Sequence, residues 1–153
     1  MPAHLLPIMV ESSWYFVTTQ QVREVLGAQP WLPIPRARAE LPGVIVWRGR
    51  AVPLVDIARV LGIGNGAGAQ RARTLIVNHE QGVAALSIDA AREVKSVPEA
   101  RLLPMHDEII PYATHELDED GVVTPVIDLE RLISDLHRVA GASEDGSNVG
   151  RAR

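Results

Sequence analysis

Two segments of the chain carry one pattern. Gly49 to Leu61 reads GRAVPLVDIARVL, and Gly121 to Ile133 reads GVVTPVIDLERLI. Gly, Pro, Asp and Arg fall at the same four places, at a constant offset of 72 (125 − 53). The apolar places match as well: Leu54 with Val126, Val55 with Ile127, Ile57 with Leu129, Val60 with Leu132, Leu61 with Ile133. Nothing in either copy is reactive, so the pattern calls for a structural explanation. Val52 to Val55 reads as a strand, with Pro53 near its start or at a sheet edge because it cannot donate to a ladder. Asp56 is a natural N-cap, its carboxylate accepting a backbone N–H of the first helical turn. Ile57, Val60 and Leu61 then share a helical face, and Gly62 ends the turn. The second copy repeats this with Pro125, the cap Asp128, and Leu129, Leu132, Ile133 and Leu136. Each copy is a strand-to-helix corner. Two corners imply two related half-domains, each closing a small β-barrel.

The rest of the chain agrees with a mainly β reading. Short runs rich in Val and Ile, broken by Gly and Pro, predict ten strands: 4–10, 14–18, 22–26, 43–47, 51–55, 74–78, 83–88, 93–97, 109–116 and 122–127. His79-Glu80-Gln81-Gly82 and Leu117 to Gly121 read as hairpin turns, with Gly82 free to take positive φ. This spacing of short strands points to barrels or a sandwich. The expected organisation is one unit over 1–139, built of two intertwined barrels with a glycine-rich connector near 62–70. The small, polar residues 140–153 are expected to form a disordered tail.

Composition narrows the function classes. At 153 residues the chain buries roughly 70% of its unfolded surface. With only 4% aromatics, its core must be built from Val, Ile, Leu and Ala. The net charge of −4, without basic runs, argues against nucleic acid as the main partner. Cysteine is absent, which excludes disulfides, thiolate metal sites and a Cys nucleophile and suits a reducing cytoplasm. No stretch approaches the 18 or so apolar residues of a membrane-spanning helix. The N-terminal residues lack the basic start of a signal peptide.

Reactive chemistry finds little support. The glycines between Gly62 and Gly68 lack the Gly-Lys-Ser/Thr ending of a phosphate loop and follow a predicted helix, so they read as a linker. His115 and Glu116 alternate across a predicted strand and cannot easily share one ion. His106-Asp107-Glu108 meets the same objection, and no metal, cofactor or catalytic group is expected. More informative is Trp47-Arg48-Gly49-Arg50. It can be a tight hairpin with solvated arginines. It can also be a binding anchor, since exposed Trp and Arg are enriched in interface hot spots. Glu24, in Val22-Arg-Glu-Val-Leu26, offers an acid on another strand.

GVIVWRGRAVPLVDIARVLG resembles the signature of CheW-like domains, the bacterial chemotaxis coupling proteins. The matching residues are Gly43, Val44, Ile45, Arg48, Gly49, Val52, Pro53, Val55, Asp56, Leu61 and Gly62. WYFVTTQQVREVL is similar to the family's N-terminal segment, and PVIDLERLI to its closing strand and helix. The resemblance covers roughly 4–138. It implies two small five-stranded SH3-like β-barrels packed together, with short helices at the corners and a C-terminal helix. It also implies a non-enzymatic signalling adaptor. The partners would be the regulatory domain of a CheA-type histidine kinase and the cytoplasmic tip of chemoreceptors, without membrane insertion. The family's coupling arginine and glutamate correspond to Arg48 and Glu24, and the expected partner-binding set is Arg48, Glu24, Trp47, Val22 and Gly49. Trp47 stands where the family usually has leucine, Val46 where it has asparagine, and WLPIPRARAELPG is unusually rich in Pro and Arg. The rivals are a divergent paralogue that docks only one partner and, from another class, a small β-barrel enzyme or ligand-binding domain.

Overall fold

A computed structural model describes residues 1–64, 68–105 and 109–138. The middle of the connector, the His106-Asp107-Glu108 loop and the tail expected to be disordered lie outside the described residues. The strands are β1 (Pro2–Val10), β2 (Ser13–Thr18), β3 (Val22–Gly27), β4 (Leu32–Pro33), β5 (Gly43–Trp47), β6 (Arg50–Val55) and β7 (Arg73–His79). They continue with β8 (Gly82–Ile88), β9 (Ala90–Ala91), β10 (Lys95–Pro98), β11 (Leu103–Pro104), β12 (Ala113–Glu119) and β13 (Val122–Ile127). A short helix, α1 (Ile57–Val60), follows β6, and a second, α2, covers residues 129–138.

The strands form two sheets with the same internal order. One runs β10-β1-β2-β13-β12-β11, with β9 beside β1; the other runs β3-β7-β8-β6-β5-β4. Without the two-residue strands, each has the five strands that the resemblance implies. Each sheet combines strands from both halves of the sequence. The β1–β2 hairpin joins β12–β13 of the second half, and the β7–β8 hairpin joins β5–β6 of the first. The two halves are interlocked, so neither copy of the repeat closes a barrel from its own strands.

Burial explains this arrangement. Along β1 and β2, Leu6, Ile8, Val10, Tyr15 and Val17 face a central core between the sheets, while Leu5 and Phe16 face the inside of the first barrel. Along β7 and β8, Leu75, Val77, Leu86 and Ile88 face the same central core, while Ile76 and Ala85 line the inside of the second barrel. These strands are apolar on both faces and read as near-continuous hydrophobic runs. Both helices send their apolar faces into the central core, through Ile57, Leu61, Leu129 and Leu132.

The repeat has its structural counterpart at the corners. Asp56 accepts from the Arg59 N–H (3.3 Å), and Asp128 from the Arg131 N–H (3.1 Å). The backbone N–H of Asp56 donates to the Glu40 carbonyl, and that of Asp128 to the Tyr112 carbonyl, again 72 positions on. After α1, Gly62 adopts φ +71° and donates to Arg59 O, while Ile63 donates to Ala58 O. This pair of bonds is a Schellman motif, and Ile63 packs on the central core beside it. Asp56→Ala and Asp128→Ala should each cost about 1 kcal/mol, read as a lower urea midpoint. Midpoints equal to the parent's would remove the capping role.

Three expectations need correction. Pro53 is neither near the start of its strand nor on an edge, because β6 begins at Arg50 and lies inside the sheet between β5 and β8. It is tolerated because the parallel ladder to β8 begins one residue later, at Leu54. Pro125 precedes the equivalent ladder from β13 to β2, which begins at Val126. The strand expected at 109–116 is Ala113–Glu119, since Ile110 accepts a turn hydrogen bond from Ala113 and Tyr112 takes φ +65°. The strand expected at 93–97 begins only at Lys95, where pairing with β1 starts.

Candidate partner-binding site at the barrel seam

Rolling a sheet into a barrel brings its first and fifth long strands together. In the second barrel these are β3 and β5, and their junction gathers most of the residues singled out in the sequence. Trp47 pairs with Arg50 across a two-residue turn, in which Arg48 has φ +49° and Gly49 φ +75°. Two positive φ values mark a type I′ hairpin, whose twist matches that of the flanking strands. Glycine suits the second of these places for conformation alone, as nothing lies within 4 Å of where a Cβ would sit.

The turn projects Arg48 outward, with 64% of its side chain exposed. Trp47 points the other way. At 7% exposure it fills the barrel interior with Ile45, Val52, Leu54 and Ile76. The exposed-anchor reading of Trp47 is therefore corrected: alternation along β5 turns it inward. Its indole N–H donates to Glu24 Oε1 at 2.5 Å, across the seam to β3. A buried indole N–H requires an acceptor, which explains an acid on the inward-facing side of β3. Arg48 Nη2 lies 3.7 Å from the same carboxylate oxygen, an ion-pair contact without hydrogen-bond geometry. The Arg48 guanidinium also lies 4.8 Å from the Trp47 ring centre, and that of Arg23 lies 5.4 Å from it. Arg23 in turn donates to Asn78 Oδ1 on β7 (3.3 Å).

Arg48, Glu24, Trp47 and Gly49 thus form one constellation. Val22 does not join it as a free contact, because it is half-buried against the central core. Arg23 belongs to the constellation without having been expected there; its only local signal in the sequence is its place beside Glu24.

The first barrel has an equivalent seam, between β10 and β12. There Lys95 Nζ meets both carboxylate oxygens of Glu119 at 2.9 Å. Glu119 stands 72 positions after Trp47, so one junction is closed by an indole–carboxylate bond and the other by an ion pair. Among the described residues, no group of three or more His, Cys, Asp or Glu could hold a metal ion.

Comparison with known proteins identifies this architecture. The family described as CheW-like domain matches residues 4–137, across both barrels and both corners. The chain belongs to the CheW-like domain family. It is similar to the chemotaxis protein CheW of Rhizobium meliloti (strain 1021), with 29% identity over 103 residues, 67% of this chain and 66% of that protein. It is 26% identical over 140 residues to a probable chemotaxis protein CheW of Rhizobium etli, covering 89% of this chain and 90% of that one. Protein FrzA of Myxococcus xanthus is 31% identical over 88 residues, 58% of this chain and 55% of that protein. The scaffolding protein TtCheW from Thermoanaerobacter tengcongensis shares the fold, with a TM-score of 0.77 at 24% identity over 86% of this chain and 92% of that one. At the level of class, this CheW-like domain is an adaptor.

Proposed function

We propose that this CheW-like domain links the regulatory domain of a CheA-type histidine kinase to the cytoplasmic tip of chemoreceptors. The observation that carries this reading is the family match across 4–137, which takes in both barrels. An adaptor needs two separate surfaces on one rigid body, and interlocked sheets around a shared core supply such a body. Its output would be a bias on the populations of kinase states, achieved by holding partners in a fixed geometry. It would act in the cytoplasm, recruited to receptor arrays at the membrane.

At the seam, Arg48 is the contact side chain in this proposal. It stands on a two-residue turn, its side chain is exposed, and Trp47 and Glu24 lie beside its guanidinium. Arg48→Ala should leave the urea midpoint almost unchanged, because an exposed pair contributes little. It should weaken binding to a kinase or receptor fragment by about 1–3 kcal/mol, the range for an interface anchor. Calorimetric titrations against each fragment separately test this. Loss toward one fragment assigns Arg48 to that surface, while unchanged affinity for both removes it from the site. A parent protein that binds one fragment and not the other would favour the single-partner paralogue instead.

A further inference from the structure

The two barrels share a strand order but not a filling. Offsets of 72 between β5–β6 and β12–β13, and of 69 between β2 and β8 (85 − 16), place equivalent side chains in one interior layer. In the second barrel this layer is closed by Trp47, Val52 and Ile76, all at most 7% exposed. The first barrel has Glu119, Thr124 and Pro7 in their places. Glu119 cannot fill the interior, because its carboxylate is held at the rim by Lys95. A pocket of about 630 Å³ remains in the barrel mouth.

The chemistry of this pocket is specific. Its walls are Pro7, Trp14, Phe16, Val94 and Val122, and the Thr124 hydroxyl is the neutral polar group among them. At the rim, the Arg92 guanidinium lies 4.2 Å from the Trp14 ring centre, with Glu93 beside it in the chain. Lys95 and Glu119 neutralise one another, whereas Arg92 and Glu93 are in no ion pair among the described residues. The mouth thus combines a flat apolar wall with a cation and a carboxylate whose charges no described neighbour neutralises. A volume within roughly 300–1,000 Å³, apolar walls and a few polar groups are what small-ligand sites have in common, and barrel mouths are a usual place for them.

We propose that the mouth of the first barrel is a binding site for a small zwitterion of the aromatic amino-acid class. The ring lies against Trp14 and Phe16, the carboxylate meets Arg92, and the ammonium meets Glu93. This mouth belongs to the first barrel and shares no residue with the Arg48 seam of the second, so binding of the zwitterion and the role of Arg48 can each fail alone.

The test is an amide chemical-shift titration of the isotope-labelled full chain with L-phenylalanine. Saturable shifts centred on Trp14, Phe16 and Thr124 are expected, with Kd of about 1–10 mM for a ligand of this size. The analogues 3-phenylpropionate and 2-phenylethylamine, each lacking one charge, should bind about 10-fold more weakly than L-phenylalanine. Glu119→Trp copies the plug of the second barrel and should abolish binding. Arg92→Gln changes a rim side chain and leaves the core intact. It should weaken L-phenylalanine and 3-phenylpropionate while leaving 2-phenylethylamine unchanged, a readout that stands even if Glu119→Trp fails to fold. No saturable shift up to about 50 mM, well above the expected Kd, overturns the site. So does unaltered binding by a folded Glu119→Trp. Equal binding of all three molecules overturns the zwitterion class.

Discussion

Trp47→Ala is expected to destabilise the fold by about 3–5 kcal/mol, the usual cost of truncating a buried Trp. The indole is 7% exposed and is packed among Ile45, Val52, Leu54 and Ile76. Its loss leaves a cavity at the seam, where no ladder hydrogen bonds hold β5 to β3. It also strips the Glu24 carboxylate of its indole donor. Trp47→Phe separates the two contributions. It keeps most of the apolar volume and removes the N–H, so it should cost about 1–3 kcal/mol. Urea denaturation of both variants with Arg48→Ala gives the ordering Trp47→Ala, then Trp47→Phe, then Arg48→Ala with almost no effect. A Trp47→Ala cost below about 1 kcal/mol would mean that the barrel interior collapses around the gap, and that the indole does not hold the seam.

Arg71→Met should cost about 2–3 kcal/mol, somewhat below the range for a fully buried pair. Arg71 is the cation most removed from solvent among the described ion pairs, with 5% of its side chain exposed. Its guanidinium donates to Glu11 at 2.5 Å and to both oxygens of Asp89, at 2.9 and 3.2 Å. Burial alone would lower its pKa. Glu11 and Asp89 outweigh that and hold it above the usual arginine value. Asp89 also accepts from the Glu11 backbone N–H (2.8 Å), in the turn where Glu11 and Ser12 both take positive φ. The three residues therefore pin the β1–β2 turn of one barrel to the start of β7 and the end of β8 in the other. Methionine fills similar volume without the charge and leaves two carboxylates facing each other. Their partial exposure, 16% and 29%, is why the expected cost is not larger. Arg71→Lys should recover only part of the loss, because an ammonium cannot span both acids with the geometry of a guanidinium. A urea midpoint for Arg71→Met equal to the parent's would show that the clamp contributes no net stability.

The corners are far more legible in the amino-acid sequence than the seam. Asp56 and Asp128 can be read as caps because a cap is local: acceptor, donor and the apolar residues that follow lie within five positions. The type I′ turn at Arg48-Gly49 and the turn ending at Gly82 are legible for the same reason. Trp47 is not. Its neighbour sequence describes a strand end, and only alternation counted from Ile45 predicts that it points inward. Glu24 is still harder. It lies on the same half-buried side of β3 as Val22 and Leu26, with Val25 41% exposed opposite, against the usual preference of an acid for solvent. A bulge between Val22 and Glu24 and an indole donor 23 positions away produce that inversion. Arg71 has no local signal at all, since its acids are 60 and 18 positions distant.

By itself, the sequence determined most of the long strands, where the two helical corners begin, and that the chain is built on one unit used twice. These follow from short-range physics: period-two burial, fixed proline geometry, and a carboxylate within reach of the next turn's N–H groups. The tertiary structure alone decided how the strands were shared. A strand's pattern states that one face must be covered without naming the partner. Here β1–β2 and β7–β8 are apolar on both faces, so each must lie between a barrel interior and the central core. Exchanging the hairpins between the two halves satisfies both faces at once. The same choice sealed the second barrel with Trp47 and left the mouth of the first open behind Glu119 and Lys95.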